Sequence, residues 1–304
     1  MFLLVPLMLM LVLGAAVGWA LRPVRTTAPT TPSQAWIAAE RHARRVVAVA
    51  WIVLVLVPAQ ILIGFFGGYR MVQPAGPVQA ALPLVGGLAF LAVGAVGELT
   101  WPRPIGDVRR AGLSRRRVRD IAPRGLSVLT ATWATLLAAL LIVSGAAAGT
   151  GGRSLSFQNG EVVRTTSPFP GWYYGRPVAI ALVLVLTACL GVLVLIARRP
   201  PVSETAPHAD AALRRTSCRR VLAGVQLVLA WTFAGCLFFV GSALSGVEPR
   251  WADAFGPGTS VLVGHLLSYV SLAIPIVSAV VAVAASRAPV TSSALGQGTG
   301  LVTA

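Results

Sequence analysis

Lysine is absent from these 304 residues, so all 25 basic side chains are arginine. Acids are scarce too, with nine Asp and Glu, and charged residues make up only 11% of the chain. An ordinary soluble domain carries about a quarter charged residues, so this composition excludes one. Together with the wealth of Ala, Gly and Val, arginine without lysine reads as GC-rich codon usage and carries no function of its own.

Sulfur and imidazole are equally thin, at three Cys and three His. Cys189 and Cys236 fall in apolar runs and Cys218 in an arginine-rich segment, with no C-x-x-C. His42, His208 and His265 are far apart in sequence. Neither a disulfide framework nor a zinc site is indicated. The apolar runs hold no paired carboxylates, no H-E-x-x-H and no bis-His haem pair. Nor does the chain carry a Walker loop, a G-x-S-x-G elbow or a kinase signature. An enzyme working inside a membrane needs an acid–base or nucleophile–base pair at depth. The expectation is a non-enzyme without cofactor or metal.

What is present is hydrophobic length. Apolar residues make up 56% of the chain, and mean hydropathy is +0.79. Runs of about 20 residues recur, enough to cross ~30 Å of hydrocarbon as helix. Seven are read: 2–21, 46–66, 80–99, 127–148, 177–197, 221–244 and 260–286. The third is the weakest, interrupted by Pro83, Gly86 and Gly87. The expected fold is an all-α polytopic bundle forming one domain over 1–286, with a flexible tail at 287–304.

Arginine orients it. Segments 22–45, 100–125 and 198–220 together with Arg287 hold twenty, against five in the alternate segments. Arginine beside a span resists translocation, which puts the N-terminus outside and the C-terminus in the cytoplasm of a plasma-membrane protein. The first run has no basic residues before it and no clear cleavage site, so it reads as a retained anchor rather than a signal peptide.

Between spans, Thr31-Pro32-Ser33-Gln34 reads as a helix start with Thr as cap, running through Ala35–Arg45 into the second span. In WPRPIGDVRRAGLSRRRVRD (101–120), Trp101 marks the interface and Ser114 caps a short surface helix, Arg115–Ile121. The stretch reads as a topology anchor rather than a nucleic-acid arm. Arg109, Arg110, Arg115, Arg116, Arg117 and Arg119 would hold anionic lipid headgroups at roughly 1 kcal/mol each. Outside, Asn159-Gly160 signals a two-residue hairpin turn that would pair Gln158 with Glu161 and Phe157 with Val162. Trp172, Tyr173 and Tyr174 follow in the loop before the fifth span, as an interfacial aromatic belt or as a lid over an outward-facing cavity.

The inner segments resemble each other. PVRTTAP (23–29) matches PVSETAP (201–207), and each stretch ends in Arg-Arg-Val, at 44–46 and 219–221. Read as a repeat, spans 1–3 and 5–7 form two parallel three-helix units around span 4, a topology seen in SWEET-type transporters. The alternative is that Ala/Val/Leu/Arg-rich text aligns with itself cheaply.

Ionisable and strongly polar residues within spans are expensive, and each is a functional hypothesis. Glu98, ending the third span, would pair with arginines of the adjoining loop, or form a buried proton or cation site. Gln60 and Gln226 lie at different depths. His265, Ser268, Ser271, Pro275 and Ser278 share one side of the seventh span, as a polar pathway with Tyr269 or as ordinary helix packing. Gly64-x-x-x-Gly68 and Gly145-x-x-x-Gly149 permit close helix approach, compatible with a homo-oligomer or a membrane-protein partner. Two functions follow. One is a permease-like protein moving or binding a small solute, lined by Gln60, Glu98, Gln226, His265 and Tyr269. The other is a non-transporting sensor or accessory protein working through the outer loop and the arginine segments.

GELTWPRP (97–104) and SPFPGWYYGRP (167–177) resemble stretches of the uncharacterised multi-pass membrane proteins common in GC-rich actinobacteria. The resemblance implies the membrane and no activity.

Overall fold

The structure is a computed structural model that describes residues 33–66, 76–102, 117–159, 162–202, 207–247 and 258–287. Among them are seven helices: α1 (Gln34–Phe66), α2 (Gly76–Leu99), α3 (Val118–Ile121), α4 (Arg124–Ala147), α5 (Trp172–Arg198), α6 (Pro207–Val247) and α7 (Thr259–Arg287). A single antiparallel hairpin, β1 (Leu155–Asn159) and β2 (Val162–Thr166), links α4 to α5. Helices α2, α4, α5, α6 and α7 are long and apolar enough to cross a membrane. The protein is a multi-pass α-helical membrane protein. Helix α1 runs unbroken through the expected second span. The first span, the tail beyond Arg287 and Arg109, Arg110, Arg115 and Arg116 lie outside the described residues.

Pro83, Gly86 and Gly87 do not interrupt α2. A proline removes one hydrogen bond from the ladder, which membrane helices tolerate when neighbouring groups satisfy the freed backbone. Gly87 is there for packing: a Cβ on it would lie 2.9 Å from Val228 of α6. Helix α2 packs on α1, α5 and α6, while α6 packs along α7 and against α4. Trp51, Leu84, Phe90, Leu91, Leu137, Val185, Ile196 and Leu229 form the centre of the core.

At 41 residues α6 is about 60 Å long, twice the thickness of a hydrocarbon core. Its first turns and those of α1 belong to one end of the bundle. The C-terminal ends of α2 and α5 meet them there, through His42 to Gly97 and Arg214 to Ile196. This end carries Arg41, Arg44 and Arg45 of α1 and Arg214, Arg215, Arg219 and Arg220 of α6. The opposite end holds the hairpin, tied to α6 where Thr166 Oγ1 donates to the Ala243 carbonyl at 3.1 Å.

Local boundaries shift from expectation. Ser33 caps α1, accepting the Trp36 N–H on Oγ at 3.2 Å, a bond from the third helical residue that marks the N-cap. The expected cap, Thr31, lies outside the described residues. The surface helix is shorter than read, only Val118–Ile121, with the Asp120 carboxylate accepting the Arg117 N–H at 3.2 Å. Its Arg117 and Arg119 are exposed.

The hairpin register pairs Asn159 with Val162 and Phe157 with Arg164, one step beyond the Asn159-Gly160 reading. Residues 160 and 161 lie outside the described residues. Finally, Trp172, Tyr173 and Tyr174 form the first turn of α5 and are not loop residues.

Candidate functional site

Helix α5 ends at Arg198, and its last carbonyls have no partner within the helix. Arg214, on α6, supplies one. Its Nη1 donates to the Ile196 and Ala197 carbonyls at 2.8 and 3.1 Å, and its Nη2 to the Arg199 carbonyl at 2.7 Å. Nε donates to Asp210 one turn away at 2.9 Å. A guanidinium fork fits this role because it is planar, always charged and drawn to the negative end of the helix dipole. Arg214 is 1% exposed, and without these acceptors its burial would be prohibitive.

The same turn places Arg199 under the cluster. Its guanidinium carbon lies 3.9 Å from the centre of the Trp101 ring, a cation–π distance. Nη1 reaches Glu98 Oε2 at 3.5 Å and Ser217 Oγ at 3.3 Å. Burial pulls this guanidinium below its usual range, and the Glu98 carboxylate opposes the shift. Nε and Nη2 of Arg199 are buried without a hydrogen-bond partner. On the other side of Trp101, His42 packs edge-on at 5.7 Å. His42 Nε2 lies 2.9 Å from the Gly97 carbonyl; a carbonyl only accepts, so Nε2 carries the proton.

Beside this cluster a cleft opens between α1, α2, α5 and α6. Its accessible volume is small, about 50 Å³. The walls are apolar: Val46, Val47 and Ala50 of α1, Leu91 and Gly94 of α2, Val192 of α5 and Val221 of α6. Trp51 and Phe90 also line it, packed edge-on at 5.7 Å. Phe90 is seated against Gly224, where a Cβ would meet its ring at 2.5 Å. Polar groups sit at the rim: His42, Glu98, Trp101, Ser217 and Arg220. Among the described residues, no three His, Cys, Asp or Glu side chains converge as a metal site.

No protein-family model, curated protein or solved structure matches the chain.

The sequence-predicted residues separate into three places. Glu98 lies at the cleft rim, 3.5 Å from Arg199 of the 198–220 segment, while residues 103–116 of the adjoining loop lie outside the described residues. Trp101, expected at the interface, is 6% exposed and packs beneath Arg199. Gln226 is fully buried between α6 and α7, its Nε2 donating to the Ser278 carbonyl at 2.9 Å and its Oε1 without a partner. His265 and Tyr269 point outward from α7, Tyr269 being 66% exposed, so they do not meet Gln226.

The stripe on α7 divides accordingly. Ser271, Pro275 and Ser278 are buried, and Ser268, Ser271 and Ser278 all donate to carbonyls of their own helix. The face packs on α6 because Gly241 and Gly264 bring the backbones together. The side chain of Gln60 lies outside the described residues.

At the other end, Trp172 and Tyr173 are 42% and 43% exposed, and Tyr174 stacks edge-on against Tyr173 at 4.9 Å. The Trp172 ring also lies across Gly145, which leaves that glycine facing an aromatic and not another helix backbone.

Asp210, Arg214, Arg199 and Ser217 were not predicted. One signal was readable, an Asp-x-x-x-Arg pair on a helix at i, i+4. Nothing local showed that the pair would be buried.

Proposed function

We propose that this is a plasma-membrane protein that binds a partly apolar solute in the α1/α2/α5/α6 cleft, as a permease would at a site open to the cytoplasm. The observation that carries the reading is the cleft's division into apolar walls and a polar rim at the arginine-bearing end. Apolar walls with a few convergent polar groups are the usual make-up of small-ligand sites. The excess of arginine at that end supports a cytoplasmic mouth. Of the residues expected to line a pathway, Glu98 lies at this rim, while His265 and Tyr269 face away from it.

The test is ligand-dependent thermal stabilisation of the purified protein, followed by uptake into proteoliposomes. Gly94 lines the cleft and a Cβ there would meet only Val192, at 3.7 Å, so Gly94→Leu should fill the space without breaking the bundle. A solute that stabilises the parent protein and not this variant supports the reading. Equal stabilisation of both sinks it. Binding without uptake would favour the accessory or sensor role, for which the hairpin offers exposed Phe157 and Val163 at the opposite end.

A further inference from the structure

Helix α7 is covered on one side only. Its buried residues, among them Gly264 and Ser278, pack on α6. No other described helix makes an extensive contact with it. The opposite side carries Leu262, Leu266, Tyr269, Ile276 and Val280, each 47% to 66% exposed, with His265 exposed beside them. His265 stands two turns into α7 and makes no hydrogen bond or ion pair to any described residue. Ionisable residues in membrane helices almost always face the interior of a bundle, because hydrocarbon offers them no partner. This histidine faces away from every described helix. The outward face of α1 differs: Val49, Ile52 and Leu56 are all apolar, and lipid covers them as well as protein would.

We infer that the free face of α7 receives the apolar run 2–21 of this same chain, packed parallel to it. The length fits. Twenty residues make one crossing, and residues 22–33, which join the run to α1, can reach about 40 Å. The direction fits as well, since α7 runs from the hairpin end to the arginine-bearing end, where α1 begins. The run contains Gly14-x-x-x-Gly18, a spacing that lets helix backbones approach closely. In a helix, Pro6 has no N–H for the Phe2 carbonyl, which leaves an acceptor at about the level of His265. The internal repeat points to the same place. With α1 matching α6 and α2 matching α7, the run 2–21 matches α5. Helix α5 lies along α2, and the counterpart of that contact is 2–21 along α7.

The test is disulfide formation in membranes holding the full chain, with Cys189, Cys218 and Cys236 replaced by alanine. Gly14→Cys is paired in turn with Ile276→Cys on α7, Ile52→Cys on α1, Leu136→Cys on α4 and Leu190→Cys on α5. Like Gly14, these four lie within about one turn of the middle of their spans. All are 41% to 59% exposed, so proximity separates them. Closure within one chain is read as loss of maleimide–polyethylene glycol mass tags without a dimer band. The Ile276 pair is expected to close at least about tenfold faster than any other, the advantage of a seated helix over one merely tethered.

Closure as fast with Ile52, Leu136 or Leu190, or no closure with any of the four, overturns the inference. Bridges from Ile276→Cys that join two chains would give the α7 face to a second copy, and overturn it equally.

Discussion

Arg214 is the side chain on which the charged end depends most. It satisfies three carbonyls at the end of α5 and one carboxylate, all while buried. Replacing it with Met removes the guanidinium that serves both Asp210 and the helix end. Loss of one partner from such a buried pair costs about 3–5 kcal/mol. Arg214→Met is therefore expected to lower the unfolding midpoint sharply in a detergent thermal melt. Arg214→Lys should recover only a fraction, because an ammonium cannot span the carbonyls as a fork does. If Met and Lys melt alike and near the parent, the cap is ornamental.

Gln226 carries the opposite sign. Its one bond to the Ser278 carbonyl is worth about 0.6 kcal/mol, the typical interhelical value in membranes. Its buried, unpartnered Oε1 costs roughly 1–3 kcal/mol. The penalty is the larger, so Gln226→Leu is expected to leave stability unchanged or raise it by up to about 1 kcal/mol. A loss of more than that would mean Oε1 holds a partner. Gly152 is constrained by backbone: its φ is +67°, where L side chains are strained, and a Cβ would lie 3.1 Å from the Tyr173 nitrogen. Gly152→Ala should cost about 1–2 kcal/mol by the same melt.

Among the elements, α6 and α7 form the most extensive contact, and their seam is set by absence of side chains. A Cβ on Gly241 would stand 2.6 Å from the Gly264 carbonyl oxygen and 2.7 Å from Ser268 Oγ. Backbone sits on backbone, and it cannot give way as a side-chain tip would. Gly241→Ala should therefore destabilise by about 1–3 kcal/mol, an overpacking cost. Gly235 has nothing within 4 Å of its Cβ position, so Gly235→Ala should be near neutral and serves as the control.

At the scale of the molecule, the long helices α1 and α6 bring the two Arg-Arg-Val segments to one cleft, which Val46, Arg220 and Val221 all line. Sidedness follows from where the arginines collect. In a cysteine-free background, a single Cys at Ser156 of the hairpin is expected to react with an impermeant maleimide on intact cells. A Cys at Ala212 of α6 should react only after permeabilisation. The reverse pattern would invert the topology argued from the arginine count.

Hydrophobic length and arginine placement are properties of short windows, and they were legible without any fold. Every apolar run within the described residues lies on a helix, and the arginines at the starts of α1 and α6 meet at one end of the bundle. Caps and turns were legible to within a few residues, because Ser33 and Asn159 act on neighbours in sequence. Which polar residues meet was not legible. Glu98 and Arg199 lie 101 residues apart, and their contact exists because α2 and α5 end at the same depth. His265 looked as promising as Glu98 in the sequence, and the rotation of α7 about its own axis turned it outward. Periodicity defines a helical face, but only packing against a neighbour decides whether that face looks inward or out.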